Sequence, residues 1–445
     1  MVEEALKQFN VTKDGMEEIA KRLTGCFVEG LSKEKHNSSV KMFITYVHSL
    51  PDGSEVGEYL ALDLGGSNFR VLKIIIKDDG TIEQKVAKEK LTKDKITSTQ
   101  EVLFDHVADC VAEFIAEHGI KETLPLGYTF SFPVDQQSLT SGVLVRWTKG
   151  FDADGAVGKD VVQLLIDAFK RKKLANVDVV ALVNDTTGTQ MALGLGNPDC
   201  YVGLILGTGT NACYMEETSN IPKYTGDKSK NSHVIINCEW GAFGEKGELD
   251  DFRNKVDEEL DKGAVNVKEQ QYEKMISGKY LGEMVRLVCY DLITKKLLCG
   301  GKMLPVFEER EKFESAYLSM IEQGDGSDLS KIKSLKDNNE VSILADANDD
   351  DCRIIRRVCE AVSTRAARLA AAGIVALVRK IKKVDKCTVA VDGSLYKLHP
   401  HFKDRMIAAM KEMEPNNGIV MKLSEDGSGR GAAMVAAVAH RMKKQ

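Results

Sequence analysis

Two segments of this chain carry one arrangement. Tyr59–Leu64 runs through Gly65-Gly66-Ser67-Asn68 into Phe69–Ile74, and Val202–Leu206 runs through Gly207-Thr208-Gly209-Thr210-Asn211 into Ala212–Met215. Each is an apolar strand, a turn of glycines and hydroxyls, and a second apolar strand. The repetition predicts two related lobes facing one nucleotide. Glycines let the backbone approach an anion closely, while successive N–H groups and Ser/Thr hydroxyls point at phosphate oxygens. Taken singly, either segment is also what a tight β-hairpin needs, since Gly-Gly and Gly-Asn/Ser pairs form hairpin turns. Finding both, with Asp63 ending one strand and Thr208 and Thr210 lining the other turn, favours phosphate binding. Neither is a P-loop, and no Gly-x-Gly-x-x-Gly opens a helix after a strand.

A chain of 445 residues is long enough for two or three domains with large cores. Its net charge of −6 argues against a nucleic-acid partner. The 10 cysteines include no Cys-x-x-Cys pair, so reduced thiols in a cytoplasmic protein are expected. The eight histidines show no metal-ligand spacing, and His399-Pro400-His401 reads as a loop, so no protein metal site is expected. No 18-residue run is wholly apolar and Met1–Asn10 is polar, which predicts a soluble protein without a membrane anchor.

Hydrophobic periodicity predicts a first helix over Val11–Thr24, then strands over Glu58–Leu64, Phe69–Lys77 and Thr81–Val86 forming an antiparallel meander. A helix over Gln100–His118, a strand over Leu126–Phe130, a helix over Val161–Lys172 and a strand over Val177–Val183 complete an α/β lobe. Gly196-Asn197-Pro198-Asp199 marks a boundary, giving a small lobe over 15–196 and a large lobe over 198–440. Asn348 to Asp351 supply caps for a long helix reaching Lys382 whose middle, Ala366–Ala372, is rich in small residues. Val389–Ser394 and Leu423–Gly431 add two further Gly-and-hydroxyl turns.

Several side chains could do chemistry. Ser131-Phe132-Pro133 follows a strand, and Arg146-Trp147-Thr148-Lys149-Gly150-Phe151 comes shortly after; polar groups beside an aromatic suit a small polar ligand, and equally a structural loop. Asn184-Asp185 closes an apolar strand. There Asp185 is either a helix N-cap or a carboxylate able to accept a hydroxyl proton, and spacing leaves both open. Glu239 is one acid in an apolar, Gly-rich stretch and should find hydrogen-bond donors. Glu273 precedes a helical run, where a solvated or capping carboxylate is the ordinary reading.

Together and in this order, these segments resemble the hexokinase family over nearly the whole chain, and most closely its animal-type, single-unit form of about 50 kDa. Leu60–Arg70 resembles the first phosphate motif, Phe130–Pro133 with Trp147–Phe151 the sugar signature, Leu206–Tyr214 the second phosphate motif, and Val391–Tyr396 with Ser424–Ser428 the adenosine region. The resemblance implies a two-lobed actin-like ATPase (ribonuclease H-like) fold of the α/β class, with the active site in the cleft between a small and a large domain. It implies phosphoryl transfer from ATP, with Mg²⁺ held mainly through the nucleotide phosphates, to the 6-hydroxyl of glucose and other hexoses. Asp185 is then the base, with Lys149 and Arg70 stabilising charge. Ser131, Thr148, Lys149, Asn184, Asp185, Asn211, Glu239 and Glu273 hold the sugar. Asp63, Gly65, Gly66, Ser67, Asn68, Arg70, Gly207, Thr208, Gly209, Thr210, Ser394, Gly427 and Ser428 face the nucleotide. A monomer or weak homodimer is expected. Ser67 stands where the family favours threonine, Arg430 where it favours lysine, and Asn266–Gln270 lacks a usual Pro-Gly. A catalytically silent sugar sensor and a chaperone-type ATPase are the rival readings on the same fold; intact Asp185 and Lys149 weigh against the first, the sugar signature against the second.

Overall fold

The computed structural model describes residues 1–34, 37–65, 68–148, 150–324, 328–335, 342–344, 346–424 and 426–444. Among the described residues the strands are β1 (Phe43–Ile44), β2 (Gly57–Leu64), β3 (Asn68–Ile76), β4 (Ile82–Lys90), β5 (Leu124–Phe130), β6 (Val134–Ser138), β7 (Ser141–Leu144), β8 (Val177–Val183), β9 (Cys200–Leu206), β10 (Thr210–Glu217), β11 (His233–Asn237), β12 (Cys387–Asp392) and β13 (Ile419–Leu423). One sheet has the order β4-β3-β2-β5-β8 and the other β1-β11-β10-β9-β12-β13; β6 and β7 form a separate hairpin. In each large sheet an antiparallel meander continues into two parallel strands, β5 and β8 beside β2, β12 and β13 beside β9. The duplication predicted from the two strand–turn–strand segments is therefore a duplication of sheet topology.

β2 reads as an almost unbroken apolar run because both its faces are covered. Leu60, Leu62 and Leu64 point to one side, with the helices Gln100–Glu117 and Val161–Arg171. Tyr59 and Ala61 point to the other side and pack with Ala432, Ala433 and Val435 of the C-terminal helix Gly427–Lys444. β4, at the sheet edge, runs on to Lys90, beyond the predicted Val86, as an exposed charged strand. Lysines on an edge discourage pairing with another chain.

A short helix over Val2–Lys7, absent from the sequence reading, precedes the predicted one. The latter spans Lys13–Gly30 and is capped by the Thr12 hydroxyl, which accepts from Gly15 N at 3.2 Å. It outruns the predicted Thr24 because Cys26, Phe27 and Gly30 continue the buried stripe of Met16, Ile19, Ala20 and Leu23. The long helix Asp349–Lys380 begins with the reciprocal Asn348/Asp351 capping box. By length and composition it alone among described helices suffices to cross a membrane, yet most of its apolar window is buried within the protein.

Packing crosses the boundary expected near residue 197. The helix Lys13–Gly30 lies in the core of the larger sheet, whereas Gly427–Lys444 packs on the smaller one. A single cut near Gly196 thus does not separate the chain by its hydrophobic cores. None of the 10 cysteines is in a disulfide.

Candidate active site

Asp63 and Arg70 are direct cross-strand partners on β2 and β3. Arg70 Nε donates to Asp63 Oδ2 at 2.9 Å, its Nη2 to the same carboxylate, and its Nη1 to Asp426. Ser428 Oγ donates to Asp63 Oδ2 at 2.8 Å and accepts from Arg70 Nη2 at 2.7 Å. Burial works against the guanidinium charge, but Asp63 and Asp426 outweigh it and hold the Arg70 pKa above its ordinary value. The first and last turns of the sequence are thereby joined. Gly65 is required at the end of β2: a methyl there would overlap the Ser131 side chain, whose N–H donates to Leu64 O at 3.0 Å. Gly66, Ser67 and Lys149 lie outside the described residues, as does the Asn68 side chain.

The second turn is a hairpin between β9 and β10, closed by Gly207 N–H on Gly209 O at 3.0 Å. It is also a donor surface, because Thr210 N–H points at Glu273 Oε2 at 3.0 Å. The hairpin reading of that segment holds, and this N–H is engaged by the protein's own carboxylate. A methyl on Gly209 would sit 2.5 Å from the same oxygen, so only glycine admits the carboxylate. Thr208 is exposed on this turn. β12 lies parallel to β9 and brings Asp392-Gly393-Ser394 alongside; Gly393 has φ +123°, and a methyl on it would overlap Leu206 O. Ser394 is exposed, and Asp392 accepts from Gly393 N at 2.7 Å and from Gly427 N at 3.2 Å. Four Gly-and-hydroxyl turns, remote in sequence, therefore adjoin one another.

Burial pushes the Asp392 carboxyl above its ordinary value; the N–H groups of Gly393 and Gly427 oppose this, and the nearby negative Asp185 and Asp426 add to it. Converging carboxylates of this kind suit a hard divalent cation. Among the described residues, however, no group of three His, Cys, Asp or Glu is arranged as a ready-made metal cage. A cation held chiefly through phosphate oxygens fits that donor set.

The residues of the expected sugar signature stand on an aromatic cluster. Phe132 packs edge-on against Trp147 and Phe151, with ring centroids 4.9 and 4.8 Å apart, and Trp147 Nε1 donates to Ala153 O at 2.9 Å. Ser131 and Thr148 flank this cluster. Asn184, not Asp185, is the N-cap of the helix Asp185–Gly194: Asn184 Oδ1 accepts from Thr186 N at 2.9 Å and Thr186 Oγ1 at 2.6 Å. Asp185 is the first helical residue, and its Oδ1 accepts from Thr186 N at 2.9 Å.

Opposite, on the larger lobe, Glu239 stands at φ 52° and ψ 48°, a left-handed conformation uncommon for a non-glycine residue. Its Oε1 accepts from Asn237 Nδ2 at 2.8 Å and Asn211 Nδ2 at 3.2 Å, and Asn211 Nδ2 also donates to Asn237 Oδ1 at 2.8 Å. The donors expected for Glu239 are present. Phe43 and Asn237 of this lobe, with Phe130, Phe132 and Asn184 of the other, line a cavity of about 20 Å³, the size of one water. Sequence reasoning missed Asn237, which reads as the last residue of an apolar strand, and Asp426, which lies inside a Gly-rich turn. Their signal was position, each two residues from a site residue already singled out.

His399 is buried, and its Nδ1 accepts from His401 N and Phe402 N, both at 3.1 Å, at the start of the helix Phe402–Met413. Its Nε2 lies 3.3 Å from Glu322 Oε1.

The repeated sheets, their paired turns and the cleft between them define a two-lobed α/β protein of the actin-like ATPase fold. Family models described as hexokinase match residues 1–195 and 201–438. Hexokinase-1 of Homo sapiens is 44% identical over 453 aligned residues, covering 100% of this chain and 48% of that protein. Hexokinase-2 of Homo sapiens is 43% identical, covering 99% of this chain and 48% of that protein. The chain spans about half the length of the curated relatives it matches. Of solved structures, the hexokinase from Schistosoma mansoni complexed with glucose is 41% identical with a TM-score of 0.90, covering 98% of both chains. A second solved hexokinase is 31% identical with a TM-score of 0.84, again over 98% of both. The chain belongs to the hexokinase family.

Proposed function

We propose that this chain phosphorylates glucose and related hexoses at the 6-hydroxyl, using ATP as donor. The observation that carries the reading is Glu239, held in a left-handed conformation with its carboxylate on Asn211 and Asn237, beside Glu273 on the phosphate-type turn at Thr210. Fixed amides and carboxylates supply both donors and acceptors, which a polyol needs at defined positions. Ser131, Thr148, Lys149 and Asn184 complete the sugar set from the smaller lobe.

Phosphoryl transfer proceeds through a loose transition state, so positioning and charge stabilisation supply most of the rate. Asp185, the first residue of its helix, orients the 6-hydroxyl and takes its proton late. Thr208, Ser394 and Ser428 face the phosphates, with Thr210 buried behind them, its hydroxyl accepting from Trp240 Nε1 at 3.2 Å, while Arg70, fixed by Asp63 and Asp426, offers a rigid cation. Mg²⁺, when bound with the nucleotide, neutralises developing charge on the phosphate oxygens. Closing the lobes excludes water that would replace the sugar hydroxyl. The cytoplasm is the setting in which its reduced cysteines belong.

The test is MgATP consumption with and without glucose, in an assay that separates glucose 6-phosphate from free phosphate. Stoichiometric sugar phosphate with little free phosphate is expected. Free phosphate alone would indicate an ATPase, and glucose binding without turnover a silent sensor.

A further inference from the structure

Arg146 and Glu269 come from opposite lobes and meet. Arg146 Nη1 lies 2.7 Å from Glu269 Oε2, with side-chain exposures of 37% and 46%. Both ends are anchored. On the smaller lobe Val145 N–H donates to Pro133 O at 2.9 Å, and Trp147 is packed on Phe132 and bonded to Ala153. On the larger lobe Glu269 sits between Lys268 and Gln270, at φ 64° and 52°. Lys268 N–H donates to Asp261 Oδ1 at 3.0 Å, Gln270 N–H to Glu245 Oε1 at 2.8 Å, and buried Lys274 holds Asp261 at 2.6 Å. The loop that lacks Pro-Gly is thus shaped by left-handed residues tied to carboxylates, and it presents Glu269 across the cleft.

We propose that the Arg146–Glu269 pair is a latch that positions the two lobes for sugar binding and so sets sugar affinity rather than the rate of transfer. The proposal rests on the hexose-kinase reading above. Arg146 is two residues before Thr148 and Glu269 four before Glu273, so joining the charges brings two sugar-facing segments to a fixed separation. Neither charge is assigned to the reacting groups. Their attraction counts equally in the ground state and the transition state of the closed enzyme, which moves KM and leaves kcat in place. Because the pair is part-exposed, salt screens it.

The experiment is a charge-swap cycle on the full chain, with glucose affinity read by calorimetry and turnover by glucose 6-phosphate formation. Glu269→Arg and Arg146→Glu should each weaken glucose binding and raise its KM about 3- to 10-fold, with kcat within about twofold. The double swap should return both values to within about twofold of wild type, and 0.5 M NaCl should weaken binding to wild type more than to Glu269→Gln. Single swaps that leave glucose affinity unchanged, or a double swap no better than either single, would overturn the latch. Wild-type turnover with no swap pattern refutes the latch alone. The swap pattern in binding, without any sugar phosphate from wild type, refutes the kinase reading alone.

Discussion

Asn237 donates its carboxamide N–H to the Glu239 carboxylate at 2.8 Å while its oxygen accepts from Asn211 at 2.8 Å. One amide therefore fixes two side chains of the proposed sugar set, and it does so from a buried position at the end of β11. Asn237→Ala leaves Asn211 and Glu239 each short of a partner in a part-buried site. A loss of about 1–3 kcal/mol in glucose binding is expected, about 5- to 150-fold in KM, with the KM for ATP far less affected. Equal losses for both substrates would show that the amide supports the fold at large instead of the sugar set.

Asn184 is the N-cap and Asp185 the first helical residue, its Oδ1 sharing the Thr186 N–H with the Asn184 oxygen. Asp185→Ala should lower kcat about 10²-fold or more, with a smaller change in glucose affinity, on the scale of general-base catalysis. Stopped-flow transfer together with a glucose titration reads both. Near-normal kcat in a folded variant would remove the base assignment.

The same pair of residues shows what the sequence could and could not convey. Strand–turn–strand units are legible because apolar alternation and glycine act locally, and β2 and β9 lie where their apolar runs placed them. The choice between Asn184 and Asp185 as cap is not legible, since either side chain can reach the same N–H groups; only the fold decides. The helix that starts at Lys13 runs past Thr24 because Gly25, which looks like a stop, lies on the exposed face with nothing within 4 Å of it, while the buried stripe continues to Gly30. The placement of Gly427–Lys444 on the smaller lobe's sheet was hidden altogether, because it is a contact between chain segments far apart in sequence.

Arg70 is the one cation bonded to Asp63 and Asp426 among the described residues. Arg70→Met leaves two part-buried carboxylates facing each other without it. Stability should fall on the order of 2 kcal/mol in urea unfolding at neutral pH, and kcat/KM for ATP should fall as well. Adding Asp426→Asn to that variant should recover part of the stability and none of the activity. A double variant no more stable than Arg70→Met would show the carboxylates to be indifferent to one another.

The helix carrying Asp185 touches the C-terminal helix through glycines. A methyl on Gly431 would overlap the Gly188 backbone, and one on Gly188 would sit 3.1 Å from Gly427 O. Gly431→Ala should therefore force the helices apart, costing about 1–3 kcal/mol by overpacking. Since Ser428 and Asp185 ride on these helices, kcat should drop in protein that remains folded. Unchanged kcat would mean that the cleft tolerates the displacement.

Lys223 ties the end of the helix Lys13–Gly30 to the strand segment after it, donating to Gly30 O at 2.7 Å and Lys41 O at 3.3 Å. Burial pushes its ammonium down from the ordinary 10.5 to about 8, only partly opposed by Asp135. Between those two values the unfolded chain binds a proton at this site that the folded protein does not, so stability rises with pH across the window and is lost as pH falls through about 8. The difference in unfolding free energy between wild type and Lys223→Met should therefore grow in favour of wild type as pH rises from about 8 to 10, by up to roughly 1 kcal/mol per pH unit. Urea unfolding at several pH values in that range reads it directly. A difference that stays flat would mean that Lys223 keeps its proton in the fold, and that its two carbonyl partners offset the burial of its charge.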